Sequence, residues 1–149
     1  MADHAETQIE YVGFWARVLA AVVDSICALM LIVPVILWVY GPGYLSLIEG
    51  KLVAGPVDFL VQYLLPAVAV IVFWLARGAT PGKMVIGARI VDADTLGKLG
   101  TGQAILRYIG YYISMIPLCL GLIWVGFDAR KQGWHDKIAG TLVIKAPKG

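Results

Sequence analysis

The chain has 149 residues, enough for one domain, and it is 60% hydrophobic and 15% charged, with a mean hydropathy of +0.80. Soluble domains carry about 25% charged residues, and a soluble fold of this size would leave much of its apolar surface in water. The many tryptophan, tyrosine, valine and isoleucine residues exclude a disordered chain, and the net charge of +2 is too small to indicate nucleic-acid binding. The composition therefore predicts an integral membrane protein.

Two stretches that are almost free of charge predict membrane-spanning helices. The first covers residues 18–40, where Asp24 is the only charged residue, and the second covers residues 59–76, where no residue is charged. Each approaches the roughly 20 apolar residues that a helix needs to cross the hydrocarbon core of a bilayer. We therefore expect a multi-pass protein.

A third apolar region, residues 104–127, contains Pro117 and Gly121, and two arrangements fit it. A kinked third span would divide the basic residues six to six between the two faces of the membrane. A helical hairpin that turns back near Pro117 and Gly121 would instead put the N-terminus, residues 77–103, the start of the third region with Arg107, and the tail, residues 128–149, on one face. That face would hold eleven of the twelve basic residues. Because basic residues concentrate in cytoplasmic loops, the hairpin is favoured, with a cytoplasmic N-terminus.

Two short runs in this cytoplasmic part predict extended structure. Residues 84–91 are rich in β-branched side chains and lead into the turn residues at 92–97, and Thr141–Lys145 has the same character. Pairing the two runs would give each exposed edge a partner. The predicted fold is an all-α membrane protein, one domain over residues 1–149, with two spans, the third apolar region and a small two-stranded β element.

Arg17 and Asp24 lie on one stripe of the first helix, because seven residues are nearly two full turns. They are separated by about 10 Å along the axis, and helical side chains lean toward the N-terminus, so each is expected to find its partner on another segment. An ionisable residue within a membrane is a candidate functional site. The alternative for Asp24 is a structural carboxylate that is tied to neighbouring polar groups.

The expected charge network joins these two residues to the third region and the tail. For Arg17 the available anions are Asp128 and Asp136, because the tail leaves the membrane on the same side. For Asp24 the cation best placed to reach it is Arg107. Tyrosine hydroxyl groups of the third region are alternative partners for Asp24: Tyr108, Tyr111 and Tyr112.

Two motifs that suggest a cofactor or a metal do not fit their templates. The segment from Gly78 to Lys83 has three residues between its glycines where a phosphate-binding loop has four, and Met84 stands where Ser or Thr would bind Mg²⁺. His135 has no second histidine at ligand spacing, since His4 is the only other one. We expect no cofactor, no metal site and no enzymatic activity.

Three features, in their order and spacing, resemble the RDD family. They are the pair of Arg17 and Asp24, the segment Gly78-Ala-Thr-Pro-Gly-Lys to Arg89-Ile-Val, and the ending Gln132-Gly-Trp-His-Asp-Lys-Ile-Ala-Gly-Thr141. The resemblance covers about residues 13–144. It implies a protein of the bacterial inner membrane, and some members of the family are associated with exchange of monovalent cations for protons.

The family is named for one arginine and two aspartates. By the resemblance, Arg17 is the arginine, Asp24 is the first aspartate and Asp136 is the second, with Asp128 as the alternative for the second.

Two functions follow as hypotheses. The first is monovalent cation or proton transport by a homo-oligomer, in which Asp24 binds the proton and the cation in turn, since so few spans cannot enclose a pathway alone. The second is a non-transporting accessory or scaffold subunit that binds another membrane protein or a lipid, with Arg17, Asp24 and Asp136 acting structurally. Polar lining or close helix packing is expected from a short set of residues in the third region: Gly110, Tyr111, Tyr112 and Ser114.

Overall fold

Helices dominate the structure, a computed structural model that describes residues 8–146. In chain order the helices and strands are α1 (Phe14–Tyr40), α2 (Tyr44–Leu47), α3 (Pro56–Phe59), α4 (Leu65–Arg77), α5 (Pro81–Val85), β1 (Ala88–Asp92), α6 (Thr101–Met115), α7 (Leu120–Ile123), α8 (Trp134–Ala139) and β2 (Thr141–Lys145).

Two helices of the described range are long and apolar enough to cross a membrane. One is α1, with 27 residues, and the other is a continuous helical rod, Pro56–Arg77, with 22 residues. A π-helical turn at Leu60–Leu64 joins α3 to α4 within this rod. Pro66, the second residue of α4, has no N–H to bond the preceding turn. Most apolar side chains of both helices are exposed, an arrangement that suits lipid rather than water.

The third apolar region reverses direction. α6 and the segment Leu120–Gly126 meet at an angle of 111°. The turn between them uses two left-handed residues, Leu118 with φ 53° and Cys119 with φ 60°. A Cβ on Gly121 would lie 2.8 Å from Ser114 Cα, so only glycine lets the returning chain approach α6 this closely. The predicted reversal is confirmed, and a continuous helix through this region is excluded.

A small antiparallel sheet joins three distant parts of the chain. β1 pairs with β2, with Ala88 opposite Lys145. The Val12 N–H donates to the Val143 carbonyl at 3.0 Å, so the segment before α1 also lies along β2. The predicted pairing is confirmed, and the N-terminal segment, the residues after α4 and the tail share one end of the fold.

The strand that was expected to begin at residue 84 begins at Ala88 instead, because the preceding residues form α5. Thr80 is the N-cap of α5 and Pro81 occupies its first position, where the fixed φ of proline favours a helix and its missing N–H costs nothing. Gly87, with φ 66°, then turns the chain into β1. This helix start overrides the β propensity of the run.

A hydrogen-bonded cluster closes the opposite end of the two long helices. The fully buried Asp58 accepts hydrogen bonds from the Tyr44 hydroxyl at 2.8 Å and the Ala54 N–H at 2.7 Å, and its own N–H donates to the Tyr40 hydroxyl at 2.9 Å. The cluster fixes the connection between α1 and α3.

α5 packs against α1 at Gly82. A Cβ at this position would overlap the carbonyl oxygen of Ala20 and would lie 2.9 Å from Asp24 Cγ. Because the obstacle is backbone, no side-chain rotation relieves it, so Gly82 sets the distance between the two helices.

Gly82→Ala should therefore lower the free energy of unfolding by about 1–3 kcal/mol, the usual cost of overpacking. The matched control is Gly102→Ala in α6, where an added Cβ meets nothing within 4 Å and should leave stability unchanged or slightly higher. Thermal unfolding of both variants in detergent measures the difference. Equal melting temperatures for the two variants would contradict the close approach.

Candidate functional site

Asp136 is the centre of a buried charge cluster where α1, α6 and α8 meet. The carboxylate is fully buried, and its Oδ2 accepts a hydrogen bond from Arg17 Nη1 at 2.5 Å while its Oδ1 accepts one from Arg107 Nη1. Asp136 is also the third residue of α8, so its Oδ2 reaches back to the N–H of the N-cap, Gly133, at 2.9 Å. The Asp136 side chain thus binds two guanidinium groups and a backbone N–H that has no partner within the helix.

Arg17 ties α1 to the N-terminal segment and to the tail. Besides Asp136, its guanidinium donates to the carbonyl of Val12 from Nε at 3.2 Å and to the carbonyl of Lys131 from Nη2 at 2.5 Å. The predicted ion pair with the tail is confirmed, and its anion is Asp136 and not Asp128.

Arg107 fills the interior of the fold. It is fully buried, donates to Thr141 Oγ1 at 2.7 Å in addition to Asp136, and lies against two aromatic rings. Its Cζ atom is 5.4 Å from the centre of the Trp74 ring and 5.6 Å from that of Tyr111. Cation–π attraction to both rings adds to the ion pair.

The two groups at the start of α8 have opposite protonation tendencies. Burial raises the pKa of Asp136, but the guanidinium groups of Arg107 and Arg17 outweigh burial and hold the pKa of this carboxyl well below its usual range. Burial lowers the pKa of His135 to about 3, so its imidazole is neutral at physiological pH. Asp136 is therefore an anion beside a neutral His135 at physiological pH.

The imidazole of His135 lacks hydrogen-bond partners. The ring is stacked on Tyr111 with 4.0 Å between centroids, and the residue is 2% exposed. Nε2 lies 3.5 Å from Asp136 Oδ2 without a hydrogen bond, and neither ring nitrogen has a partner within residues 8–146. Buried polar atoms are normally paired, so His135 has unused hydrogen-bonding capacity.

Asp24 is bound to α5. Its Oδ2 accepts a hydrogen bond from Thr80 Oγ1 at 2.6 Å, and its Oδ1 accepts one from the Gly82 N–H at 2.7 Å. These donors belong to the first residues of α5, so Asp24 caps this helix from outside it. The predicted contact of Asp24 with Arg107 or with a tyrosine hydroxyl is wrong, because α5 docks on α1 beside Asp24 and Arg107 turns to Asp136.

Asp128 stands apart from the central cluster. It accepts a hydrogen bond from Lys137 Nζ at 2.7 Å and bonds the N–H groups of Arg130 and Gln132 at 3.1 Å. The hydrogen bond from Lys137 lowers the pKa of Asp128. The single network expected from the sequence is thus three separate groups, which are centred on Asp136, Asp24 and Asp128.

A cavity of about 520 Å³ lies between α1 and the α6–α7 hairpin, next to the central cluster. This volume is within the range of roughly 300–1,000 Å³ that is usual for small-molecule sites. Its walls are mainly apolar, and its polar side chains come mostly from the cluster end: Arg17, Asp24, Ser25, Thr80, Lys83, the three tyrosines of α6 and His135.

Lys83 is the residue of this cavity that sequence reasoning missed. It is 8% exposed, and among residues 8–146 it forms no ion pair and no hydrogen bond through its ammonium. Lysine in a Gly-Pro segment normally faces water. The sequence feature that could have predicted its position is Thr80-Pro81, which is typical of the start of a helix and so indicates an ordered segment.

The RDD family model matches residues 11–140. The chain belongs to the RDD family. An uncharacterized protein of Rickettsia prowazekii is 41% identical to this RDD chain over 76 residues, which cover 51% of the chain and 42% of that relative.

Two similar proteins from Bacillus subtilis match over more of their length. YxaI, also uncharacterized, is 31% identical to the RDD chain over 157 residues, which cover 89% of the chain and 95% of YxaI. The uncharacterized membrane protein YteJ is 29% identical over 143 residues, which cover 90% of the chain and 80% of YteJ. No solved structure matches the chain.

A double-mutant cycle tests the coupling of the central cluster. Asp136→Ala should cost about 3–5 kcal/mol of unfolding free energy, because it removes the anion from the fully buried Arg107 and the partly buried Arg17. Arg17→Ala should cost less, since Arg107 still neutralises the carboxylate, and the double variant should lose about as much as Asp136→Ala alone. The control pair is Asp128→Ala with Lys137→Ala, where Lys137 is exposed and the coupling should stay below about 1 kcal/mol. Additive losses for Arg17 and Asp136 would contradict the cluster.

His135 should make stability depend on pH. The unfolded chain binds a proton on this imidazole below its ordinary pKa of 6.5, whereas the folded chain does so only near pH 3, so stability falls as the pH drops from 7 to 5. In a His4→Gln background, His135→Asn should remove this slope, measured by unfolding in detergent. Asp136 contributes to stability in a different pH range. Because its pKa is lowered in the folded chain, its stabilising contribution is lost only below about pH 3.8. An unchanged slope between pH 7 and pH 5 would show that His135 is not buried as a neutral group.

Proposed function

We propose that this RDD protein is a multi-pass protein of the bacterial inner membrane with a cytoplasmic N-terminus. The long apolar helices with their exposed side chains support this, as does the similarity to YteJ, which is named as a membrane protein. Of the basic residues in the described range, only Lys51 lies in the connection at the far end of the long helices, away from the sheet. The positive-inside bias assigns the end that carries the sheet, with residues 77–103 and the tail, to the cytoplasm.

The function that the geometry supports best is binding rather than transport: a non-transporting accessory domain that holds a membrane molecule or a membrane protein, with Arg17, Asp24 and Asp136 acting structurally. One observation carries this proposal. Both oxygens of Asp24 and both oxygens of Asp136 are already bonded to protein donors. A monovalent cation needs oxygen ligands, and these carboxylates have their strongest acceptor positions occupied.

The charge of the cavity supports the same proposal. Its lining contains Arg17 and Lys83 but a single carboxylate, Asp24. A cation that entered would meet two positive groups in surroundings of low dielectric constant, where repulsion between like charges is strong.

Cation or proton transport is the second candidate. It is favoured by the position of Asp24, which borders both the large cavity and a second cavity of about 210 Å³ between α1 and α4. An ion that moved from one cavity to the other would bind the carboxylate that both cavities share.

Flux measurements separate the two functions. Purified protein is reconstituted into liposomes with an imposed Na⁺ or K⁺ gradient and a lumenal pH dye, and the binding proposal predicts no flux above that of Asp24→Asn or of protein-free liposomes. The matched control is Asp94→Asn, which removes an exposed loop carboxylate. Flux that Asp24→Asn abolishes and Asp94→Asn preserves would overturn the binding proposal and establish transport.

A further inference from the structure

Lys83 is a largely buried residue whose ammonium has no hydrogen bond and no ion pair in the described part of the chain. It is the third residue of α5, it is held in place by the docking of Gly82 on α1, and it lines the large cavity. Burying an ammonium group without a counter-ion is costly. A lysine that is held at the cavity wall in this way offers its ammonium to an anionic ligand in the cavity.

The neighbourhood of Lys83 has an excess of positive charge. The charged groups in and next to this end of the cavity are three cations, Arg17, Arg107 and Lys83, and two carboxylates, Asp24 and Asp136. Since His135 is neutral, one positive charge is left without compensation. A single negative charge in the cavity would balance the set.

Two further groups have free donors for such an anion. Arg17 uses three of the five N–H bonds of a guanidinium on Asp136, Val12 and Lys131, which leaves two. His135 lines the cavity with both ring nitrogens unpaired, and a neutral imidazole has one donor. An oxyanion is the ligand that lysine, arginine and histidine bind together.

The rest of the cavity is apolar, so the ligand has an apolar part. Residues 14–25 of α1 line it over about 16 Å of helix, and Val18, Met115, Leu122 and Ile123 contribute to its walls. Ile123 and Met115 are also exposed on the outer surface, so the wall continues to the face that the proposed membrane location exposes to lipid. The site is charged at its end near α5 and hydrophobic along its length.

We propose that this cavity binds an anionic lipid, with its headgroup oxyanion at Lys83 and Arg17 and a hydrocarbon segment along the apolar wall. The assignment rests on the binding function proposed above and names the ligand class of that site. A fatty-acid carboxylate shares this chemistry with a lipid phosphate, and the cavity volume fits a headgroup with part of one chain better than a whole two-chain lipid.

Native mass spectrometry of the full chain in detergent tests the proposal with phosphatidylglycerol, phosphatidylcholine of the same acyl chains, oleate and inorganic phosphate as probes. Phosphatidylglycerol should bind in preference to phosphatidylcholine, and Lys83→Gln should weaken it about tenfold or more. The control is Lys98→Gln, which removes the same charge from an exposed loop and should leave binding unchanged. Tighter binding of oleate than of phosphatidylglycerol, lost in Lys83→Gln, would support the site and assign the oxyanion to a fatty acid.

A thermal readout separates binding from a purely structural role of Lys83. Without lipid, Lys83→Gln should melt at the same temperature as the parent protein or higher, because an uncompensated cation is removed. Phosphatidylglycerol should raise the melting temperature of the parent protein and not that of the variant.

Four results would overturn the site. Two concern the lipid: equal binding of phosphatidylglycerol and phosphatidylcholine, and equal phosphatidylglycerol binding by the Lys83→Gln and Lys98→Gln variants. The third is binding of inorganic phosphate as tight as that of the lipid. The fourth is a dimer that forms without lipid and excludes it. Any of these in the absence of ion flux would remove the lipid site and leave the binding function standing. Asp24-dependent flux would instead overturn the binding function itself.

Discussion

The fold depends on one carboxylate held between two guanidinium groups. Asp136 binds Arg17 from α1 and Arg107 from α6, and Arg107 also bonds Thr141 at the start of β2. Arg17 adds the carbonyl of Lys131 in the tail. In the proposed membrane location, helices that face lipid would gain little from hydrophobic burial between them, so a cluster of directional, charge-assisted bonds is well suited to fix the arrangement of these segments. Removing water from three charges is costly, and the cluster therefore specifies the arrangement more than it adds net stability.

The position of Lys83 in the cavity depends on Gly82. Because Gly82 has no Cβ, α5 can approach the backbone of α1, and because it approaches, the Gly82 N–H and the Thr80 hydroxyl reach Asp24. Lys83 follows directly in the chain and is carried into the cavity by this contact. The conformation of a short loop helix thus decides where a buried positive charge lies, and Asp24 acts through that helix.

The groups centred on Asp136 and Asp24 together explain the charge of the cavity. Asp136 carries one negative charge against the guanidinium groups of Arg17 and Arg107, which leaves the cluster with an excess of positive charge. The Asp24 carboxylate is bonded to the Thr80 hydroxyl and the Gly82 N–H. An oxyanion complements this set, whereas a metal cation or a free proton would add to the excess. The apolar walls then favour an anion that carries hydrocarbon.

Local features of the sequence predicted much of this structure, and long-range contacts account for what they missed. Absence of charge located the two long helices, Pro117 and Gly121 located the reversal, and β-branched runs located the paired strands. The pairing of Arg17 with an aspartate of the tail followed from the direction in which helical side chains lean, but the choice of Asp136 over Asp128 came only from the structure. The partner of Asp24 did not, because it depends on α5, a five-residue helix whose position is set by tertiary packing at Gly82.

The ionisation state of Asp136 tests the central cluster most directly. In protein labelled with ¹³C at the aspartate carboxyl carbons, the Asp136 resonance, assigned with Asp136→Asn, can be followed as the pH is lowered in detergent. If two guanidinium groups bind this carboxylate, its resonance stays that of the ionised form at and below pH 3.8, where ordinary aspartates are half protonated. Titration at or above that pH in the folded protein would contradict the account.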